Sequence, residues 1–163
     1  MSANIKSILV LGLGKVGSLV ATLLHETGLA VTGADLHAAD AGASFPVIPL
    51  DVNRQDDLRR LSGFDAVVSC LPYNFNIGIA SMAHDLGLHY FDLTEDVKTT
   101  QAILQLSGSA RAVMAPQCGL APGFIAIVGA SLAQTFDQIR SIRLRVGALP
   151  QHPTGLLGYA FNW

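Results

Sequence analysis

The 163-residue chain is short of charge and of cysteine, and it contains no basic run. Charged residues make up 13% of it, against about 25% in an average globular protein. Its net charge of −2 gives no electrostatic footprint for nucleic acid or for an anionic membrane surface. The two cysteines, Cys70 and Cys118, form no CxxC or metal-type spacing, and His25, His37, His89 and His152 form no cluster. A disulfide framework and a metal site are therefore not expected, and a reducing, cytoplasmic setting is. The N-terminus leads into an apolar run that stops at Lys15 with no A-x-A site, so it does not read as a signal peptide. One long uncharged stretch, 112–136, is broken by Pro116, Gly119, Pro122 and Gly123. A membrane span needs about 20 mainly apolar residues in one run, so this stretch reads as buried strand, loop and helix.

What the chain has is apolar residues, 50% of the total, enough at 17.1 kDa for one well-buried domain and too many for disorder. Ile8-Leu9-Val10-Leu11 is a continuous apolar run ended by glycines, the pattern of a strand buried on both faces. Val16, Leu19, Val20, Leu23 and Leu24 follow at helical spacing, with Gly28 as the stop. Further strands are expected at 29–34, 47–50, 66–70, 88–93 and 112–115. Helices are expected at 54–61, at 77–86 behind an Asn74 or Asn76 cap, at 97–106, and from about Pro122 to Ala133. Strands that alternate with helices make a six-stranded parallel sheet of the α/β class. Ile139 to Gly147 instead alternates apolar with polar, as an antiparallel strand with one wet face would. With the aromatic end Tyr159-Ala160-Phe161-Asn162-Trp163, this divides the chain into a first domain over 1–137 and, over 138–163, the truncated start of a second.

Gly12-Leu13-Gly14-Lys15-Val16-Gly17 matches G-x-G-x-x-G between the first strand and the first helix. The first glycine serves a tight turn, the second admits a pyrophosphate to the backbone, and the third lets helix and strand pack closely. Free amides and the macrodipole at the helix start favour an anion there. Asp35 follows the second strand, about 20 residues after the loop, where the dinucleotide fingerprint expects an acid for the ribose 2′-OH. The expected fold is therefore a Rossmann-like, doubly wound parallel sheet. No arginine lies within the next several positions to meet a 2′-phosphate, so NAD is expected in preference to NADP. Asp51 and Val52 follow the third strand, near the adenine position, where Asp51 is equally suited to cap the next helix.

With strand order 3-2-1-4-5-6, the nicotinamide end of the crevice is walled by the loops after strands 1, 4, 5 and 6. These are Cys70-Leu71-Pro72-Tyr73-Asn74, then Asp92-Leu93-Thr94-Glu95-Asp96, then Gln117-Cys118-Gly119. Cys70, Leu71 and Pro72 are expected against the cofactor. Asp92, at the strand end, is the first choice for a substrate-facing carboxylate, and Tyr73 the accompanying phenol. Asp96 is the best-placed helix cap.

Cys70-Leu71-Pro72-Tyr73-Asn74-Phe75-Asn76, His89-Tyr90-Phe91-Asp92-Leu93 and Cys118-Gly119-Leu120-Ala121-Pro122-Gly123 together resemble the saccharopine dehydrogenase-like family. Gly147-Ala148-Leu149-Pro150 and the 157–163 segment are similar to it as well. The resemblance implies oxidation of a CH–NH bond in an amino-acid-type substrate, or its reverse, by hydride exchange with NAD(P). It also implies a second α/β domain that completes the substrate site, and a homodimer is expected of the full-length protein. Asp92 and Tyr73 are then candidates for substrate positioning or proton transfer. A nucleotide-sensing regulatory domain shares the glycine loop and the acid after strand 2. It would need no reactive groups after strands 4 to 6. A short-chain reductase would need Tyr-x-x-x-Lys, and Tyr73, Tyr90 and Tyr159 lack that lysine.

Overall fold

The computed structural model describes residues 5–37 and 42–147. Six strands form one all-parallel sheet: β1 (Ser7–Leu11), β2 (Ala30–Asp35), β3 (Val47–Pro49), β4 (Ala66–Ser69), β5 (His89–Asp92) and β6 (Met114–Ala115). Their spatial order is β3-β2-β1-β4-β5-β6, the order expected from the sequence. Among the described residues the helices are α1 (Lys15–Glu26), α2 (Gln55–Arg59), α3 (Asn76–Leu86), α4 (Val97–Ser107) and α5 (Phe124–Ala133).

The central strands lie buried on both faces, which is why they read as unbroken apolar runs rather than alternating ones. Leu9, Leu11 and Val67 join Leu61, Ile79, Ala83, Tyr90 and Ile103 in the larger core. Ile8, Val10, Val31, Phe45 and Ala66 form the second core with Ala21 of α1.

Several local expectations give way to packing. In α1 the residues buried against the sheet are the small Gly17 and Ala21, while Val16, Leu19 and Leu23 are exposed. The close approach excludes bulk, so the larger apolar residues are displaced from the contact. Asn76 does not cap α3 but opens it, behind a 3-10 turn over Tyr73–Phe75, and its buried side chain accepts from Ser69 Oγ at 2.7 Å. Pro122 is not the start of α5. Gly123, at φ 129°, turns the chain first, and Phe124 begins the helix. The expected strand over 139–147 is absent: these residues are exposed and pair with no other described strand. An alternating strand needs a partner ladder to form, and the described residues offer none. The motif from Ala148 onward, His152 and the aromatic segment 159–163 lie outside the described residues.

The surface of α5 and of the residues just past it is unusually apolar. Phe124, Ile127, Leu132 and Phe136 are all more than half exposed, and Ile139, Ile142 and Leu144 continue the patch along the chain that follows.

Candidate functional site

Strand order reverses between β1 and β4, and the crevice beyond their carboxyl ends is where open sheets of this kind bind ligands. On one side of it a cavity of about 140 Å³ is lined by Gly12, Asp35, Leu36, Asp51, Val52 and Leu71, among others. Five of the residues expected to hold a dinucleotide thus meet in one place, although β1, β2, β3 and β4 supply them separately.

The glycine loop is held open by two different devices. Gly12 sits at φ 85°, where a side chain is strained, and any Cβ there would meet the side chain of Leu71. Gly17 faces the backbone carbonyl of Gly12 so closely that only hydrogen fits between helix and loop. Gly14, by contrast, has open space where its Cβ would project. It precedes α1 without a side-chain cap, and the first turn of the helix contains no acid. The first amides of a helix lack intrahelical acceptors, so this end presents uncompensated donors to the crevice, with Lys15 and Val16 exposed beside them. That is the donor set a diphosphate fits.

Asp35 ends β2 and accepts from the Leu13 amide at 2.8 Å through Oδ2 and from the His37 amide at 3.1 Å through Oδ1. Its carboxylate is thereby fixed between the loop and the cavity. Gly33 carries no signal of its own in the sequence, yet its missing side chain makes room for Leu13 to cross β2. Asp51 does not cap the next helix. It lines the cavity, but its Oδ1 closes a local turn by accepting from Asn53, and its own amide donates to Asp57. The cap position of α2 falls to Arg54.

The other side of the crevice is built from the ends of β4, β5 and β6. Cys70 packs near Gly17, and burial pushes its thiol up to about 11. Tyr73, in the 3-10 turn after β4, is 46% exposed. Asp96 caps α4 as expected, accepting from the Thr99 amide at 2.8 Å.

Asp92 departs most from expectation. It is fully buried, and its oxygens accept from the Tyr90 hydroxyl at 2.8 Å, the Thr94 amide at 2.9 Å and the Gln117 amide at 3.2 Å. Its carbonyl accepts from the Cys118 amide at 2.7 Å. The side chain expected to face substrate is instead the knot joining the loop after β5 to the loop after β6. Gln117, the one non-glycine at positive φ among the described residues, takes that conformation at the knot. Burial, and then the charge of Asp92, push the Tyr90 phenol and the Cys118 thiol above their usual ranges.

Residues 8–115 match the family model of the saccharopine dehydrogenase NADP-binding domain. The chain belongs to this family. Among solved structures, this saccharopine dehydrogenase-type domain is similar to apo saccharopine dehydrogenase (L-Glu forming) from Saccharomyces cerevisiae. The TM-score is 0.65 at 22% identity, over 79% of this chain and 31% of that one. It is also similar to the UDP-N-acetylglucosamine 3-dehydrogenase GnnA from Acidithiobacillus ferrooxidans, with TM-score 0.59, 21% identity, and 82% and 44% of the two chains covered. The TrkA-N domain of the inner membrane protein ybaL from Escherichia coli matches over 84% of this chain and all of its own, at TM-score 0.57 and 11% identity. At such identities the likeness is one of fold. The chain spans less than a third of the length of the yeast enzyme. No helix among the described residues is long and apolar enough to cross a membrane.

Proposed function

We propose that this chain is the nicotinamide-dinucleotide-binding part of an NAD(P)-dependent oxidoreductase acting on the CH–NH group of an amino-acid-type substrate. The observation that carries the reading is the junction of an uncapped helix start with a cavity cornered by Asp35, inside a chain of this family. In it, the amides of residues 14–17 at the start of α1 hold the diphosphate, while the Leu13 amide stays with Asp35. Asp35 accepts from the adenosine ribose, and Val52 and Leu71 wall the adenine side. When bound, the cofactor takes up or gives a hydride at its nicotinamide ring.

Asp35 supports NAD over NADP, because a carboxylate fixed at the ribose corner repels a 2′-phosphate. The family's description names NADP, and Arg54 and Arg60 line the neighbouring cavity past Leu36, where such a phosphate would point. We favour the carboxylate, since it is anchored by two amides and belongs to the cavity itself.

Tyr73, exposed in the turn after β4, is the group among the described residues best placed to orient the amine or exchange a proton with it. Residues beyond about 138 belong, in this reading, to a second domain that supplies the rest of the substrate site, and the full-length protein is a homodimer. A regulatory nucleotide sensor on the same fold would bind cofactor without oxidising any amine.

Calorimetric titration of the chain with NAD and NADP, each oxidised and reduced, tests the reading. Binding of NAD at least about tenfold tighter than NADP is expected. The reverse order would transfer the ribose corner to Arg54 and Arg60, and no binding of either would defeat the reading.

A further inference from the structure

Asp92 carries a charge that the fold has paid to bury and has not neutralised. It is 0% exposed, and among the described residues no lysine, arginine or histidine pairs with it. Its partners are all donors: one hydroxyl and two backbone amides. Three donors match the acceptor-only hydrogen bonding of a carboxylate, and the Tyr90 hydroxyl that supplies one of them also lies 3.4 Å from the Asn76 carbonyl.

Its place follows from register. Leu11 of β1 stands opposite Ser69 of β4, and Ser69 opposite Asp92 of β5, so the three form one row across the carboxyl edge of the sheet. Two strand spacings put Asp92 about 10 Å from the start of the glycine loop. The cavity cornered by Asp35 takes the adenosine half on the β2–β3 side, which leaves the β4–β5 side, and this row, for the nicotinamide half.

A nicotinamide ring is positively charged when oxidised and neutral when reduced. The geometry points to Asp92 as a positioning residue whose fixed negative charge favours bound oxidised cofactor over bound reduced cofactor. It acts through the field it sets up at the floor of the crevice, not by touching substrate or moving a proton. Across about 10 Å inside protein, the interaction of two unit charges is enough to shift such a preference severalfold. The inference rests on the reading of the chain as a nicotinamide-binding domain.

The test is the ratio of Kd for oxidised to Kd for reduced cofactor in the full chain, with wild type and Asp92→Asn compared at neutral pH. The amide keeps an acceptor for Thr94 and Gln117 and donates to Tyr90 Oη, which is free to turn to Asn76. Loosening of the loops weakens both cofactor forms together and leaves the ratio alone. Loss of the charge raises the ratio, and a rise of about threefold or more is expected. Asp92→Glu keeps the charge and disturbs the knot, so both affinities should fall while the ratio stays near that of wild type. Should Asp92→Asn not fold, Asp92→Ser carries the same expectation. A ratio unchanged in the neutral variant, with both forms still bound, overturns the role given to Asp92 and leaves the cofactor site intact. A wild-type chain that binds neither form overturns the underlying functional reading as well.

Discussion

The amide of Leu13 donates to Asp35 Oδ2 at 2.8 Å, clamping the turn after the first strand to the end of the second. The same carboxylate corners the cavity, so it serves the apo fold and the proposed ribose contact at once. Asp35→Ala leaves the amide without its partner, at a cost of about 1 kcal/mol in denaturant unfolding. Its larger effect is on cofactor choice. NAD affinity should fall about tenfold while NADP affinity holds or rises, as read by calorimetric titration.

Gly14 and Gly17 should separate binding from folding. A methyl group at Gly17 meets the carbonyl of Gly12, a backbone atom that cannot swing aside. Gly17→Ala should therefore cost about 2 kcal/mol or more in thermal or urea unfolding. At Gly14 the same methyl meets nothing in the protein and projects into the space proposed for the diphosphate. Gly14→Ala should unfold near the wild-type midpoint yet bind NAD at least about tenfold more weakly.

Acid should weaken the fold through a small set of carboxylates. Asp65 accepts from the Ser7 and Lys6 amides and from Ser7 Oγ, each at 2.9 Å, and these bonds hold it below the ordinary carboxylate range. Asp96, at the start of α4, and Asp57, which accepts from the Asp51 amide, are lowered in the same way. A group lowered by folding contributes stability that is complete above its unfolded value and lost as pH falls through its folded value. Urea midpoints measured from about pH 6 downward should be level until about pH 4 and then decline. Asp65→Asn should start from a lower midpoint and decline less steeply, and a parallel decline would remove Asp65 from the account.

The two thiols should be sluggish nucleophiles at neutral pH. Burial raises Cys70 to about 11, and burial followed by the charge of Asp92 raises Cys118. Alkylation at pH 7 should run about tenfold or more below a free-thiol standard, with Cys118, the more exposed of the two residues, modified before Cys70. Both rates should climb as pH rises through about 8 and 9, because only the thiolate reacts. Fast modification of Cys118 at pH 7 would contradict the arrangement around it.

Most of the fold is legible in the chain because local and tertiary demands agree there. Ile8 to Leu11 and Ala66 to Val68 are apolar throughout since helices cover both sides of them, and the six strands fall where those runs stand. Expectation and structure part where a distant partner decides. Asn76 has the character of a helix cap, but Ser69, on β4, claims its side chain. Asp92 reads as an open carboxylate because Gln117, which closes over it, lies far along the sequence at the next loop. Residues 139–147 alternate as a strand should, but alternation describes one face of a ladder and does not provide its other half. The contacts of Gly33 and Gln117 are hidden for a related reason. A glycine inside a strand and a glutamine inside a loop carry no outward sign of the contacts that require them.

The greasy flank of α5 governs how the chain behaves on its own. Phe124, Ile127 and Leu132 on the helix and Phe136 just past it are each more than half exposed to water, more large apolar groups than one short segment usually shows. Preparations of the chain alone will bind environment-sensitive dyes without being unfolded, and salting-out ions will drive them to self-associate. Light scattering and dye titration of the same sample should therefore rise together, while its circular dichroism stays that of a folded α/β protein.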